Sequence, residues 1–167
     1  MYKVDGNSLN TGGGPCNGGG SPANFHPTPI MLQEVDTDGV TLLNEPVKIL
    51  DRDDRDGPLV EAPSLFYNHD SDTYFLTFSS NCYSTDLYDI SFAYSSILSS
   101  TFTKNKTPLM ATVPGSIVAP GGADMTPNGG FAVYHATVDY LENGEPIRYM
   151  YSAFSSQQAD VMSAWLV

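Results

Sequence analysis

The sequence predicts an all-β protein, and three observations carry that prediction. Helical periodicity is nearly absent, and short runs rich in Tyr, Phe, Val, Ile and Thr recur along the chain. Clusters of Gly, Pro, Asn and Asp separate these runs and read as turns. The pattern fits a sandwich, a barrel or a propeller. At 167 residues, 41% of them hydrophobic, the chain can bury one core, and nothing in it marks a second domain.

The first run, 1–5, closes on Gly6-Asn7, and the polar, Gly-rich stretch 10–26 reads as a long loop. Strands are expected at 29–36 and 46–50, either side of the Asp36-Thr37-Asp38-Gly39 turn. The pair 59–67 and 73–79 flanks Asn68-His69-Asp70-Ser71, and 89–95 follows another polar stretch. Short strands at 108–112 and 116–119 surround Pro114-Gly115, 130–137 follows Asn128-Gly129, and 147–154 follows Asn143-Gly144. Acids in Pro/Gly-punctuated segments recur at Asp5, Glu61 and Asp124, 56 and 63 residues apart, a period that suits a propeller blade with long loops. In a propeller the inner strand of each blade faces the central channel, so acids on successive inner strands would converge on one pocket.

Seven basic against nineteen acidic residues give a formal charge of −12, which repels phosphate backbones and anionic lipid and leaves a neutral sugar acceptable as a ligand. No run approaches the eighteen or so apolar residues of a membrane span, and the N-terminus lacks the basic-then-apolar layout of a signal peptide. Nucleic acid and membrane are therefore not expected partners. Cys16 and Cys82 can pair in an oxidising compartment, but two thiols without a His/Cys cluster make no zinc site. Asn105-Lys106-Thr107 is an N-glycosylation sequon, usable in a secreted chain.

The chemistry centres on Leu59-Val60-Glu61-Ala62-Pro63-Ser64-Leu65, which sets one carboxylate in an apolar strand. There, loss of water would raise its pKa and keep it protonated as a general acid. Tyr2-Lys3-Val4-Asp5-Gly6-Asn7 repeats the arrangement, and two such acids point to glycoside-bond chemistry. The block Asp51-Arg52-Asp53-Asp54-Arg55-Asp56 lacks the EF-hand pattern and mixes in two arginines, so it reads as a solvated turn between blades. Phe66, Tyr88 and Tyr134 read as packing residues, and His26 and His69 as exposed loop residues.

The segments K-V-D-G-N-S and V-E-A-P-S-L, with T-P-I-M-L-Q-E-V, I-L-D-R-D-D, S-S-N-C-Y-S-T, Y-D-I-S-F-A-Y-S-S, A-P-G-G-A-D, V-Y-H-A and R-Y-M-Y-S-A, run in order over about residues 1–153. Together they resemble glycoside hydrolase family 43, the inverting arabinofuranosidases, arabinanases and xylosidases built on a five-bladed β-propeller. The resemblance implies an incomplete propeller with about three blades present, from which residues 154–167 depart as a divergent end. It implies Glu61 as general acid and Asp5 as the acid that raises its pKa. His135 would sit near the channel axis, and Asp124, Asn7 and Tyr83 are the further candidates for sugar contact. No protein metal site is implied; a calcium ion or a water at the axis is the only additional group the family would bring. Where family members often carry Gly-His, this chain has Gly121-Gly122-Ala123-Asp124.

The implied partner is an arabinose- or xylose-containing oligo- or polysaccharide of the plant cell wall, and the implied location is secreted. The family's catalytic base lies on a blade upstream of Asp5, so hydrolysis by this stretch of chain is expected to be impaired. A non-catalytic carbohydrate-binding or interaction module is the alternative. Open sheet edges at either end, with apolar Trp165, Leu166 and Val167, imply self-association.

Overall fold

The computed structural model describes residues 2–5, 15–19, 21–158 and 161–166, which form eleven strands in three antiparallel sheets. The first sheet meanders through β1 (Tyr2–Asp5), β2 (Ile30–Val35) and β3 (Leu42–Leu50). The second runs β4 (Val60–Asn68), β5 (Thr73–Ser80), β6 (Asp89–Ser95) and the short β7 (Thr103–Lys104). The third runs β8 (Val118–Met125), β9 (Phe131–Tyr140), β10 (Pro146–Gln158) and β11 (Val161–Leu166). Each sheet is a propeller blade, and β1, β4 and β8, the first strands of the three, lie side by side. The all-β, three-bladed expectation is met.

The second blade is the keystone, because it is buried on both faces. Side chains alternate across a strand, and β5 divides its residues between two cores. Leu76 and Phe78 join Val60 and Ala93 against Ile30, Leu32, Ile49 and Leu50 of the first blade. Phe75 points the other way and, with Phe66 and Phe92, packs on Met125, Ala132 and Met162 of the third. Further along, Ile90 meets Ala123, Tyr134, Ala136 and Ala153. Burial of Phe75, Leu76 and Phe78 to 2% exposure or less stabilises the stack by roughly 1.5–3 kcal/mol per side chain.

Three strand expectations change. Residues 108–112 are not a strand; only Met110 bridges to Ile90, while the outer strand of the second blade is β7. The strand expected at 116–119 is β8 and continues to Met125 through Gly121-Gly122, where the missing side chains let neighbouring side chains approach the backbone. Past Ala153, β10 runs on to Gln158 and pairs with β11, so residues 154–158 and 161–166 complete a four-stranded blade.

The acidic block between the first two blades is only partly solvated. Asp53 caps a short 3-10 turn by accepting from the Arg55 amide at 2.9 Å, and Asp56 accepts from the Asp53 amide at 2.6 Å. Asp56 is 3% exposed and receives the Lys104 ammonium, which also lies 3.3 Å from Asp53. Burial pushes the Asp56 carboxyl above its usual range despite that partner, whereas the hydrogen bond from Arg55 holds Asp53 well below it. Asp54 is fully exposed and lies 3.8 Å from the Arg52 guanidinium.

Cys16 and Cys82 form a disulfide across 66 residues, tying the loop after β1 to the loop after β5. A cross-link closing a loop of that length stabilises the fold mainly by restricting the unfolded chain. Replacing both cysteines by serine should lower unfolding free energy by about 2–4 kcal/mol, read from the midpoint and slope of urea denaturation.

Candidate active site

Glu61 stands second in β4, and its orientation follows from the same alternation. Its neighbour Val60 packs into the first-blade core, so Glu61 faces the third blade, opposite Ser79 in the ladder. A bulge follows at once: Ala62 and Pro63 together span the stretch opposite Phe78, between the Glu61–Ser79 and Ser64–Thr77 pairs. Pro63 brings no N–H to the ladder, and Ala62 takes a φ of +49°, a left-handed conformation costing about 1–3 kcal/mol that the surrounding packing must impose. The bulge sits directly beside the acid, where such features re-aim side chains.

The half-buried Glu61 accepts a hydrogen bond at Oε1 from the Tyr88 hydroxyl at 2.8 Å. Tyr88 is 2% exposed. Burial first, and the Glu61 charge second, push its phenol far above the ordinary value, so it remains a proton donor to the carboxylate at any working pH. Its ring packs against Gly121, where a Cβ would fall 1.8 Å from Cε1, so no other residue fits at that position. On the neighbouring strand, the Ser79 hydroxyl accepts from the Gly122 amide at 2.8 Å.

His135, on β9, stacks on Tyr88 with ring centroids 5.9 Å apart, and its Nε2 crowds Gly122, whose φ of +60° suits glycine. Arg148, on β10, donates from Nη2 to the Tyr83 carbonyl at 2.5 Å and lies 5.7 Å from the Tyr83 ring centroid. Arg148 also acts electrostatically on Tyr88 and His135. Two polar atoms in this cluster, His135 Nδ1 and Arg148 Nε, are buried without a partner among the described residues. Buried polar groups are nearly always paired, so these two atoms call for a partner that the described residues do not supply.

The other expected residues fall in different places. Asp5 ends β1, paired in the ladder with Met31, on a strand that approaches β4; its side chain, like all of Asn7, lies outside the described residues. Asp124 is on the inner strand β8, as the repeat predicts, but accepts from Ser64 at 2.8 Å. Ser64 stands three residues beyond Glu61, roughly 10 Å along a strand. Asp124 and Ser64 line a cleft of about 520 Å³ with Leu65, Tyr67 and Pro127. Tyr83 is 40% exposed beside the disulfide. Tyr88, Ser79 and Arg148 were not singled out by sequence as site residues, since a tyrosine, a serine and an arginine in β-rich segments carry no local mark of function. Among the described residues no three His, Cys, Asp or Glu side chains are grouped to hold a metal ion.

No protein-family model and no curated protein matches this sequence. Solved structures do. A thermostable family 43 glycoside hydrolase superposes with a TM-score of 0.73 at 20% identity, over 98% of this chain and 53% of that one. The fold is that of the family 43 glycoside hydrolases. A xylan β-1,4-xylosidase from Bacillus halodurans matches at TM-score 0.67 and 15% identity over 97% of this chain and 30% of its own. A family 43 endo-arabinanase from Bacillus licheniformis matches at 0.58 and 21%, over 86% and 53%. This chain thus spans about half or less of the length of these three structures.

Two outcomes are expected from this geometry. Gly121→Ala should force Tyr88 off Glu61 and destabilise the fold by about 1–3 kcal/mol, measured by chemical denaturation. His135 is held below its ordinary value of 6.5, first by burial and then by the Arg148 charge, so the unfolded chain takes up its proton before the folded one does. Its contribution to stability is therefore fully present above about pH 6.5 and lost as pH falls through the lower folded value. His135→Asn should flatten the pH dependence of urea unfolding in that acidic window; an unchanged slope would place the histidine's titration elsewhere.

Proposed function

We propose that this chain carries the acid side of an inverting glycosidase site for arabinofuranosyl or xylosyl linkages of plant cell-wall polysaccharide. The observation that carries the reading is the half-buried Glu61 carboxyl held at Oε1 by Tyr88, on whose ring His135 stacks with a buried Nδ1 that has no partner among the described residues. Held this way, Oε1 is committed and Oε2 is the oxygen left to give a proton to the glycosidic oxygen. Asp5, on the adjacent inner strand, is read as the acid that tunes it. His135 and Arg148 would meet sugar hydroxyls, with Tyr83 flanking them. A neutral sugar suits a chain of charge −12, and the xylosidase and arabinanase among the matching structures support the substrate class. The Cys16–Cys82 disulfide favours a secreted, oxidising location.

An inverting reaction also needs a carboxylate about 6.5–9.5 Å across the sugar from the acid. The described aspartates near this end of the sheets are engaged: Asp86 accepts from Tyr140, Asp89 from Ser80, Ser91 and Asn81, and Asp124 from Ser64. That favours, as second reading, a pocket in this chain that binds sugar with little turnover.

Calorimetric titration with arabino- and xylo-oligosaccharides should detect binding that survives in Glu61→Gln. Aryl arabinofuranosides and xylosides should be hydrolysed well below the usual range of about 1–10³ per second, and the residue of activity should vanish in Glu61→Gln. Fast turnover that depends on Glu61 would mean that the chain holds its own base. Absence of binding to either sugar class would end the reading.

A further inference from the structure

A second cleft opens where the first two blades are tied together. The loop after β1 is anchored there by Asn17, a buried residue in the left-handed region at φ +55°, which asparagine tolerates better than most side chains. Its Nδ2 donates to the carbonyls of Pro58 at 2.6 Å and His26 at 2.8 Å, and its Oδ1 accepts from the His26 amide at 2.9 Å. The Cys16–Cys82 disulfide joins the same segment to the loop after β5. Segments distant in sequence are thereby fixed around a cleft of about 430 Å³ whose walls include Phe25, Pro58 and Tyr83. That volume falls within the roughly 300–1,000 Å³ of small-molecule sites.

Two aromatic rings line the cleft, each braced by an arginine. Arg52 donates from Nε to the Gly57 carbonyl at 2.8 Å and from Nη2 to the Asp53 carbonyl at 3.1 Å, and its guanidinium lies over the Phe25 ring, 5.1 Å from the centroid. Arg148 does the same for Tyr83 from the third blade. Rings fixed before a ligand arrives lose little freedom when it does. None of the described residues lining the cleft is charged, and Ser84 and Thr85 add hydroxyls on its exposed side. The cleft at the rim of the same two blades differs, with Lys48, Asp51, Asp53, Arg55 and Lys104 in its walls.

Uncharged walls with two fixed aromatic rings suit a neutral ring that has apolar faces and a polar edge. A β-linked xylopyranosyl unit has that form: its hydroxyls lie around the rim, and C–H bonds cover both faces, which the negative face of an aromatic ring attracts. An arabinofuranosyl ring carries hydroxyls on both faces and meets a flat ring poorly. The cleft adjoins the candidate site. Arg148, which braces Tyr83, also acts on Tyr88 and His135, and Pro58 precedes Glu61 by three residues, on the order of 10 Å of extended chain. We propose that Phe25 and Tyr83 form a second sugar subsite, which takes a xylopyranosyl unit a short way along the polysaccharide from the linkage at Glu61. The inference rests on the sugar reading of the Glu61 site and narrows it to xylan-type chains.

Calorimetric titration with xylobiose through xylohexaose, and with arabino-oligosaccharides of the same lengths, tests this. Affinity in the xylose series should rise at least about tenfold from the shortest member to the longest, and in the arabinose series by less than about threefold. Phe25→Leu, which keeps apolar bulk and removes the ring, and Tyr83→Ala, at an exposed position, should each bring the long-to-short ratio close to one with a cooperative thermal transition retained. Tyr83→Trp keeps a ring and should keep the rise. A flat xylose series, an equal rise in the arabinose series, or a rise indifferent to both ring-removing variants would each overturn the subsite and leave the Glu61 reading standing. Absence of binding at every length in both series would end both.

Discussion

Everything in this fold depends on the second blade being apolar on both faces. A sheet with one wet side needs a single partner, whereas β5, with Phe75 and Phe78 on opposite sides and Thr77, Ser79 and Ser80 buried between and beyond them, needs two. The first and third blades supply those faces, and the spacing of β1, β4 and β8 follows. The alternation that satisfies both cores leaves no choice for Glu61: once Val60 is committed to the first blade, the next side chain must face the third. The position of the candidate acid is thus a by-product of core packing.

Around that acid, the limiting resource is space. Tyr88 reaches Glu61 only because Gly121 presents bare backbone to its ring, and His135 leans in only because Gly122 does the same on the neighbouring residue. The two glycines cost strand stability in the open chain and are offset by the stacked rings and the Ser79 hydrogen bond they admit. Burial keeps the phenol protonated and pushes the imidazole toward its neutral form, so both groups stand in the cluster as hydrogen-bonding partners and not as charges. Arg148 is the cation of the cluster, and it is anchored outside, on Tyr83, next to the disulfide that fixes that loop.

Much of the fold was legible because its signals are local. Long runs with turn residues on both sides, such as Thr73–Ser80 and Phe131–Tyr140, are strands where periodicity and punctuation place them. Reading failed where a residue's role is set by something distant. Residues 108–112 look like a strand but hold only one bridge to Ile90, and Asp56 looks solvated until Lys104 covers it. Of the candidate site, Glu61 is marked by its apolar strand and His135 by the family resemblance alone, while Tyr88 reads as a packing residue because its ring is one and its hydroxyl bond to Glu61 has no local signal.

By itself the sequence determined that the chain is all-β, that its acids recur on inner strands at blade spacing, and that its charge disfavours polyanions, since period, turn chemistry and net charge are properties of neighbours along the chain. Only the tertiary structure decided which of the recurring acids have which companions. Asp124 sits on the correct strand yet three residues away from Glu61's level, beside Ser64, because register between blades is set by side-chain packing and bulges that no local pattern encodes. The partnership of Tyr88, Glu61 and His135 joins three blade strands and loops separated by 27 and 47 residues, and it exists because burial and two missing Cβ atoms bring them to the same place.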